Sequence, residues 1–392
     1  NAKRKIAIIG AGPAGLSCAY FLARLGYRPR IFEAEGKPGG MLVQTIPAYR
    51  LPRATLAREI RMIERLGVTI QTGKRLGRDF TLGDLRRQGY EAVFLGVGTP
   101  LGARLGIPGE DAAGVTDGVQ FLRDYNLHGK VPVGRRVVII GGGNVAVDVA
   151  RTAVRLGADS VTVLYRRTRE EMPAYQTEVE EALQEGVRFD FLVAPKAIVV
   201  EKGTARGVRC VRMVLGEFDR SGRRRPREQA GGEFTVEADQ VISAVGQALR
   251  PEDFRDGTGL APGERRLLDA DAVTGQTAVA WIFAGGDAVT GPASVIEAIA
   301  AGEKAAVGID QYLTGANHAF WRTERPVDTA FDPAADPVSY GRAVVRTRPV
   351  ARRTQGFDEV ELALTEGAAV REARRCLRCD YREACGAVES EG

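Results

Sequence analysis

Two stretches of the chain share one design of apolar and polar positions. Lys5–Ile9 is a short apolar, β-branched run that ends in Gly10-Ala11-Gly12-Pro13-Ala14-Gly15. An apolar-periodic helix follows from Leu16 to Leu25, then a second strand from Pro29 to Glu33. The design returns at Arg136–Ile140, which runs into Gly141-Gly142-Gly143-Asn144-Val145-Ala146, a helix to Leu156 and a strand from Ser160 to Tyr165. Runs that are apolar throughout predict parallel strands covered on both faces. Two copies this far apart predict two nucleotide-binding units, not a solenoid, which would need more repeats. Ala92–Gly98 is a third apolar strand entering a glycine turn, and Gln240–Gly246 repeats that pattern late in the second unit. A further strand from Ala280 ends in Gly285-Gly286-Asp287, before a helix from about Ser294 to Leu313. The simplest assembly has this late strand and helix completing the first unit, with the second unit inserted into it. The expected fold is α/β with two Rossmann-like domains: residues 1–108 and 240–316 form the first, 109–239 the second, and 317–392 a C-terminal extension. Within that extension a short helix is expected at Phe357–Arg374.

The chain has 392 residues, and 48 of them are glycine, about 12% against a usual value near 7%. With no collagen period, the excess belongs to turns and ligand loops. The formal charge is only +5, so nothing beyond mild basicity suggests nucleic acid. Arg223-Arg224-Arg225, set among Gly, Ser and Pro, reads as a solvated loop. No apolar run reaches the ~18 residues needed to span a bilayer, and no signal peptide precedes the first strand. The expectation is a cytoplasmic protein. Because the chain starts at Asn1, it reads as a piece with something upstream.

The first turn carries G-x-G-x-x-G where a dinucleotide fingerprint requires it, between strand and helix. Gly10 allows the tight turn, Gly12 the approach of a pyrophosphate, and Gly15 close helix–strand packing. Pro13 and Ala14 open the helix, whose free N–H groups face the diphosphate. Glu33, at the end of the second strand, can bond both ribose hydroxyls. The second turn has Gly141, Gly143 and Ala146, with Asn144 and Val145 at the helix start. In place of the carboxylate it offers Arg166 and Arg167. Guanidinium forks suit a 2′-phosphate, so this site should prefer NADPH to NADH. Gly286 and Asp287 suit the far side of a flavin nucleotide, with Asp287 on a ribityl hydroxyl. The helix opening at Ser294 and Val295 can stabilise charge on a reduced flavin ring.

These motifs resemble the flavin-and-NADPH module of the glutamate synthase small subunit and of dihydropyrimidine dehydrogenase. The matching stretches are Gly10–Gly15, Gly39-Gly40-Met41-Leu42, Ile46–Pro52, Gly141–Asp148, Tyr165–Arg167, Glu171–Ala174 and Phe283–Asp287, spread over residues 3 to about 315. The Ile46-Pro47 to Arg50-Leu51-Pro52 segment is the most specific of them. The resemblance implies FAD and NADPH as cofactors, with Gly40, Met41, Leu42 and Gly98 around the flavin nucleotide. It implies that Arg50 contacts the flavin nucleotide, that Leu76 lies at its adenosine end, and that Ala244, Val245 and Gly246 border the NADPH path. Complete members of that family also carry a Cys-rich iron–sulfur region before the flavin domain.

The five cysteines are Cys18, Cys210, Cys376, Cys379 and Cys385. An odd count with three at the end is no secreted disulfide framework. Cys376, Cys379 and Cys385 supply three thiolates, whereas a [4Fe–4S] cluster needs four ligands. An iron–sulfur cluster completed by a partner or a missing segment, a zinc site, and a ligand-free remnant all stay open. Cys18 and Cys210 read as core packing. No Cys pair stands against the flavin, so a dithiol does not take the electrons. Hydride transfer from nicotinamide C4 to flavin N5 needs positioning, not a titrating side chain, and no catalytic acid or base is named. The expected activity is an FAD-dependent NADPH oxidoreductase exchanging electrons with an iron–sulfur protein or larger catalytic subunit. A stand-alone ferredoxin–NADP reductase of the adrenodoxin reductase type is the first alternative, and a non-catalytic flavin-bearing assembly subunit the second.

Overall fold

A computed structural model describes residues 1–218, 224–254, 259–263, 266–322 and 341–374. Its frame is two five-stranded, all-parallel sheets. The first has the order Ile282–Ala284, Ala92–Leu95, Ile6–Ile9, Arg30–Phe32, Thr69–Gln71. The second has the order Val115–Asp117, Gln240–Ser243, Arg136–Ile140, Ser160–Tyr165, Arg188–Phe191. Ile6–Ile9 and Ala92–Leu95 are buried along their whole length and Val137–Ile140 likewise, as their unbroken apolar runs require. Leu101–Gly102 and Gln247–Ala248 pair antiparallel between the two units.

The late strand lies beside Ala92–Leu95, and the late helix, Val295–Thr314, packs on the first helix, Pro13–Arg24. The two helices approach closely because Gly302 has no side chain: a Cβ there would meet the Ala14 carbonyl oxygen at 2.2 Å. Ser17 Oγ donates to the Ile299 carbonyl and Tyr27 Oη to Asp310 across the same contact.

Four sequence expectations need correction. The first helix starts at Pro13, not Leu16, because proline fits the first helical position. Gln240–Ser243 belongs to the second sheet, where it pairs in register with both Val137–Ile140 and Val115–Asp117, so the return to the first unit falls after it and not at 240. Arg224 and Arg225 open a strand, Arg224–Glu237, although they remain exposed. That strand completes an antiparallel meander with Val193–Glu201 and Thr204–Phe218 that the sequence reading lacked. Finally, only Glu366–Arg374 of the expected Phe357–Arg374 helix is helical. Upstream of it the chain is extended, with Phe357 stacked near Tyr125 (4.4 Å between centroids) and the Val360 N–H donating to the Tyr49 carbonyl.

Candidate functional site

At the first turn Gly12 caps the helix without any side-chain bond, leaving N–H groups of the first turn available. Gly15 admits no other residue, since a Cβ would fall 1.9 Å from the Gly10 carbonyl oxygen. The turn opens into a cleft of about 910 Å³ lined by Gly10, Gly12, Pro13 and Ala14. Glu33, Gly40, Met41, Leu76, Gly98 and Asp287 line it too. Glu33 is buried, and its carboxylate accepts from the Ala11 and Glu35 backbone N–H groups at 2.7 and 2.8 Å. Burial raises its pKa while those two bonds oppose the rise. Asp287 is pushed up to about 6 by burial, with the Ala293 N–H holding it down and Glu297 adding to the rise. Gly286 sits behind it as the cap of Asp287–Thr290. Ser294 caps the late helix in a reciprocal capping box with Glu297.

Other predicted residues fall elsewhere. Leu42 and Val295 line a second, mostly apolar cleft on the far side of Pro13. Arg50 lines that cleft too. Its guanidinium donates to both Asp148 oxygens (3.0 and 2.8 Å) and stands 3.0 Å from Glu178. It therefore ties the Ile46–Pro52 motif to the Gly141–Asp148 motif. Beneath it lies a buried ionic cluster. Arg151 contacts Glu178, Glu181 (2.6 Å) and Glu185 (2.8 Å), and Arg155 reaches Glu185 at 2.6 Å. Arg353, from the C-terminal extension, reaches Glu185 at 2.9 Å. Arg155 and Arg151 both stand over the Tyr49 ring, at 4.0 and 4.8 Å.

At the second turn Gly143 caps the helix Asn144–Arg155 and faces open space. A Cβ on Gly142 would lie 2.4 Å from the Tyr165 ring, so that ring floors the turn. Ala146 is buried under it and Val145 half-buried. Asn144 Oδ1 accepts from the Tyr175 N–H at 3.0 Å, pinning the end of the Glu171–Ala174 segment. Ala244 is fixed by its N–H to the Ile140 carbonyl, while Val245 and Gly246 are exposed beside it. The arginine pair splits. Arg166 is exposed, whereas Arg167 is buried with its Nε donating to the Arg224 carbonyl at 2.9 Å. Of the expected two-guanidinium pair, Arg166 is the exposed member, and the strand that holds Arg224 lies against Arg167.

Sequence reasoning missed Lys74, Arg75, Arg250 and Asp253, all lining the first cleft. Lys74 and Arg75 adjoin Leu76 and were within reach of the pattern. Arg250 and Asp253 follow the second unit in sequence, and only the fold returns them to the first. Cys376, Cys379 and Cys385 lie outside the described residues. Cys18 and Cys210 are buried and unpaired, and burial pushes the first thiol well up and the second to about 12.

The model of the pyridine nucleotide-disulphide oxidoreductase family matches residues 4–302. The chain belongs to that family. It is 48% identical to the NADP(+)-dependent formate dehydrogenase subunit beta of Moorella thermoacetica, over 99% of this chain and 56% of that one. It is 41% identical to the glutamate synthase [NADPH] small chain of Escherichia coli, over 79% of this chain and 69% of that one, which bears out the resemblance. It is 39% identical to the NADPH-Fe(3+) oxidoreductase subunit beta of Geobacter sulfurreducens, over 98% of this chain and 62% of that one. The chain thus spans about three-fifths of the two beta subunits. Mycobacterium tuberculosis FprA in complex with NADPH has the same fold, with TM-score 0.70 at 20% identity over 80% of this chain and 85% of that one. No helix among the described residues is long and apolar enough to cross a membrane.

Proposed function

We propose that the first glycine turn holds FAD, that the second receives NADPH, and that the chain relays electrons between NADPH and an iron–sulfur protein or larger catalytic subunit. One observation carries the reading. Two equivalent turns stand on two parallel sheets, the first with a buried carboxylate, Glu33, and the second with an exposed guanidinium, Arg166. Glu33 keeps lone pairs for ribose hydroxyls and would repel a 2′-phosphate. Arg166 does the reverse. The first cleft fits FAD by its narrow glycine cradle and by the buried Arg75 Nε, which has no hydrogen-bond partner. FAD, when bound, would accept one hydride, two electrons with a proton, and release electrons singly. Around it, the first helix N-terminus would hold the diphosphate, Glu33 the ribose and Asp287 a ribityl hydroxyl. The late helix, whose Ala298 lines the same cleft, would flank the cofactor. The chain thereby positions nicotinamide against flavin without contributing an acid or base.

Relatives named as beta or small subunits support a partner subunit. The reading extends to a cytoplasmic location. The boundaries follow the sheets: the first domain is 1–108 with the chain after Gly246 to 316, and the inserted domain is 109–246. Anaerobic addition of NADPH to the purified protein tests the activity. Bleaching near the flavin maximum is expected, and its absence would mean a flavin-bearing scaffold. Purification as a lone, fully active ferredoxin reductase would favour the adrenodoxin reductase type.

A further inference from the structure

We propose that Arg250, together with Arg75, forms a second cationic wall of the first cleft and clamps the FAD diphosphate from the side opposite the helix N-terminus. The inference rests on the assignment of FAD to that cleft. Both side chains line it, and they come from opposite ends of the first unit. Arg75 follows the strand Thr69–Gln71, and Arg250 follows the short strand Gln247–Ala248, where the chain re-enters the first domain.

Neither guanidinium is satisfied by the protein. Arg75 Nε is buried with no hydrogen-bond partner, and its one ion pair, to Glu35, is a loose 3.8 Å. Arg250 is half-buried, and its side chain makes no hydrogen bond or ion pair among the described residues. Burial and the Arg75 charge hold it below its ordinary pKa; Arg123 adds to this, while Asp253 and Glu35 oppose it. Such a grouping is unfavourable in an empty site, since a buried fork lacking its bonds keeps its full desolvation cost.

The carboxylates nearby do not answer it. Asp253 is itself buried, and burial raises its pKa despite Arg250 and Arg75. Glu33 is engaged with Ala11 and Glu35. An anion entering the cleft would satisfy both forks at once. A diphosphate matches, because planar forks bind phosphate oxygens bidentately and because Gly12 and Pro13 of the helix N-terminus line the same cleft. Two phosphates would then be held between backbone N–H groups on one side and guanidiniums on the other. The position of Arg250 on the chain gives this wall a consequence: the cofactor joins the two separate segments of the first domain.

The test measures FAD affinity of the full chain after flavin removal, by flavin fluorescence at several salt concentrations. Arg250→Gln should raise the FAD Kd roughly tenfold or more, the size of one lost charge-assisted contact. It should also flatten the salt dependence, and Arg250→Lys should restore the slope and part of the affinity. The apoprotein melting temperature should not fall, because the Arg250 side chain makes no hydrogen bond or ion pair among the described residues. An FAD Kd within twofold of wild type, or a loss of affinity with an unchanged salt slope, would overturn the clamp. Glu33→Ala serves as the control. If it weakens FAD while Arg250→Gln does not, the clamp fails and the FAD assignment stands. If neither weakens FAD, the assignment of the cleft fails.

Discussion

Glu185 is the carboxylate on which the buried ionic cluster turns. Its side chain has no exposure, and neither do those of Arg151 and Arg155, while that of Arg353 is 1% exposed. Glu185→Gln keeps the shape and removes the charge, leaving Arg155 and Arg353 against a neutral amide and Arg151 with only Glu178 and Glu181. Removing one partner of a buried pair costs about 3–5 kcal/mol. With three cations sharing the site, we expect the upper part of that range. At about 2–4 °C per kcal/mol for larger domains, the melting temperature should fall on the order of 10 °C. The pH dependence has a definite sign. Burial would raise the Glu185 carboxyl, but bonds from Arg155 and Arg151 outweigh it and hold the group below its ordinary 4.5. Its contribution is therefore complete above about pH 4.5 and is lost as pH falls below that value, so variant and wild type converge in acid. Urea unfolding at pH 7 and pH 4 measures both effects. Arg353→Met in the Glu185→Gln background removes one stranded cation. The double variant should be more stable than the sum of the single losses predicts, by about 1 kcal/mol or more. A Glu185→Gln cost under 1 kcal/mol at pH 7, or strict additivity, would refute the reasoning.

Arg166→Gln should raise KM for NADPH, by about 1.5–3 kcal/mol of lost charge-assisted contact, and leave NADH use unchanged. Equal loss for both coenzymes would remove Arg166 from the 2′-phosphate. Glu33→Ala should release FAD and give paler protein, and an unchanged flavin-to-protein ratio after dilution and refiltration would contradict its role. Asp287 has a folded pKa of about 6 against an ordinary 3.8, so the apoprotein loses stability as pH rises through that window and is level above it. Asp287→Asn should remove up to about 3 kcal/mol of that slope, leaving the share of Asp148, which burial also lifts to about 6 despite Arg50. Unfolding titrations from pH 4 to 7 that match wild type would count against the carboxyl's burial. The isolated chain, purified in air, should hold FAD but little iron, and anaerobic preparation with its partner should add iron. About four irons per isolated chain would show a fourth ligand beside Cys376, Cys379 and Cys385.

The sequence by itself determined the two sheets and the two turns, because both rest on local rules. A parallel strand covered on both faces must be apolar at every position, and a strand-to-helix turn that approaches a phosphate must be glycine. Gly10–Gly15, Glu33 and Gly141–Gly143 were legible for that reason. Their partners in space were not. Whether Arg50 reaches a flavin or Asp148, and whether Arg166 or Arg167 is open to solvent, depends on which element covers each side chain. The covering elements are a meander and an extension whose patterns, with one face or both in water, carry weak signals. The return of Arg250 to Arg75 across an inserted domain has no signature in spacing at all. It follows from the late strand adding to the edge of the first sheet, where its apolar face is buried against Ala92–Leu95, and that choice is made by the core as a whole.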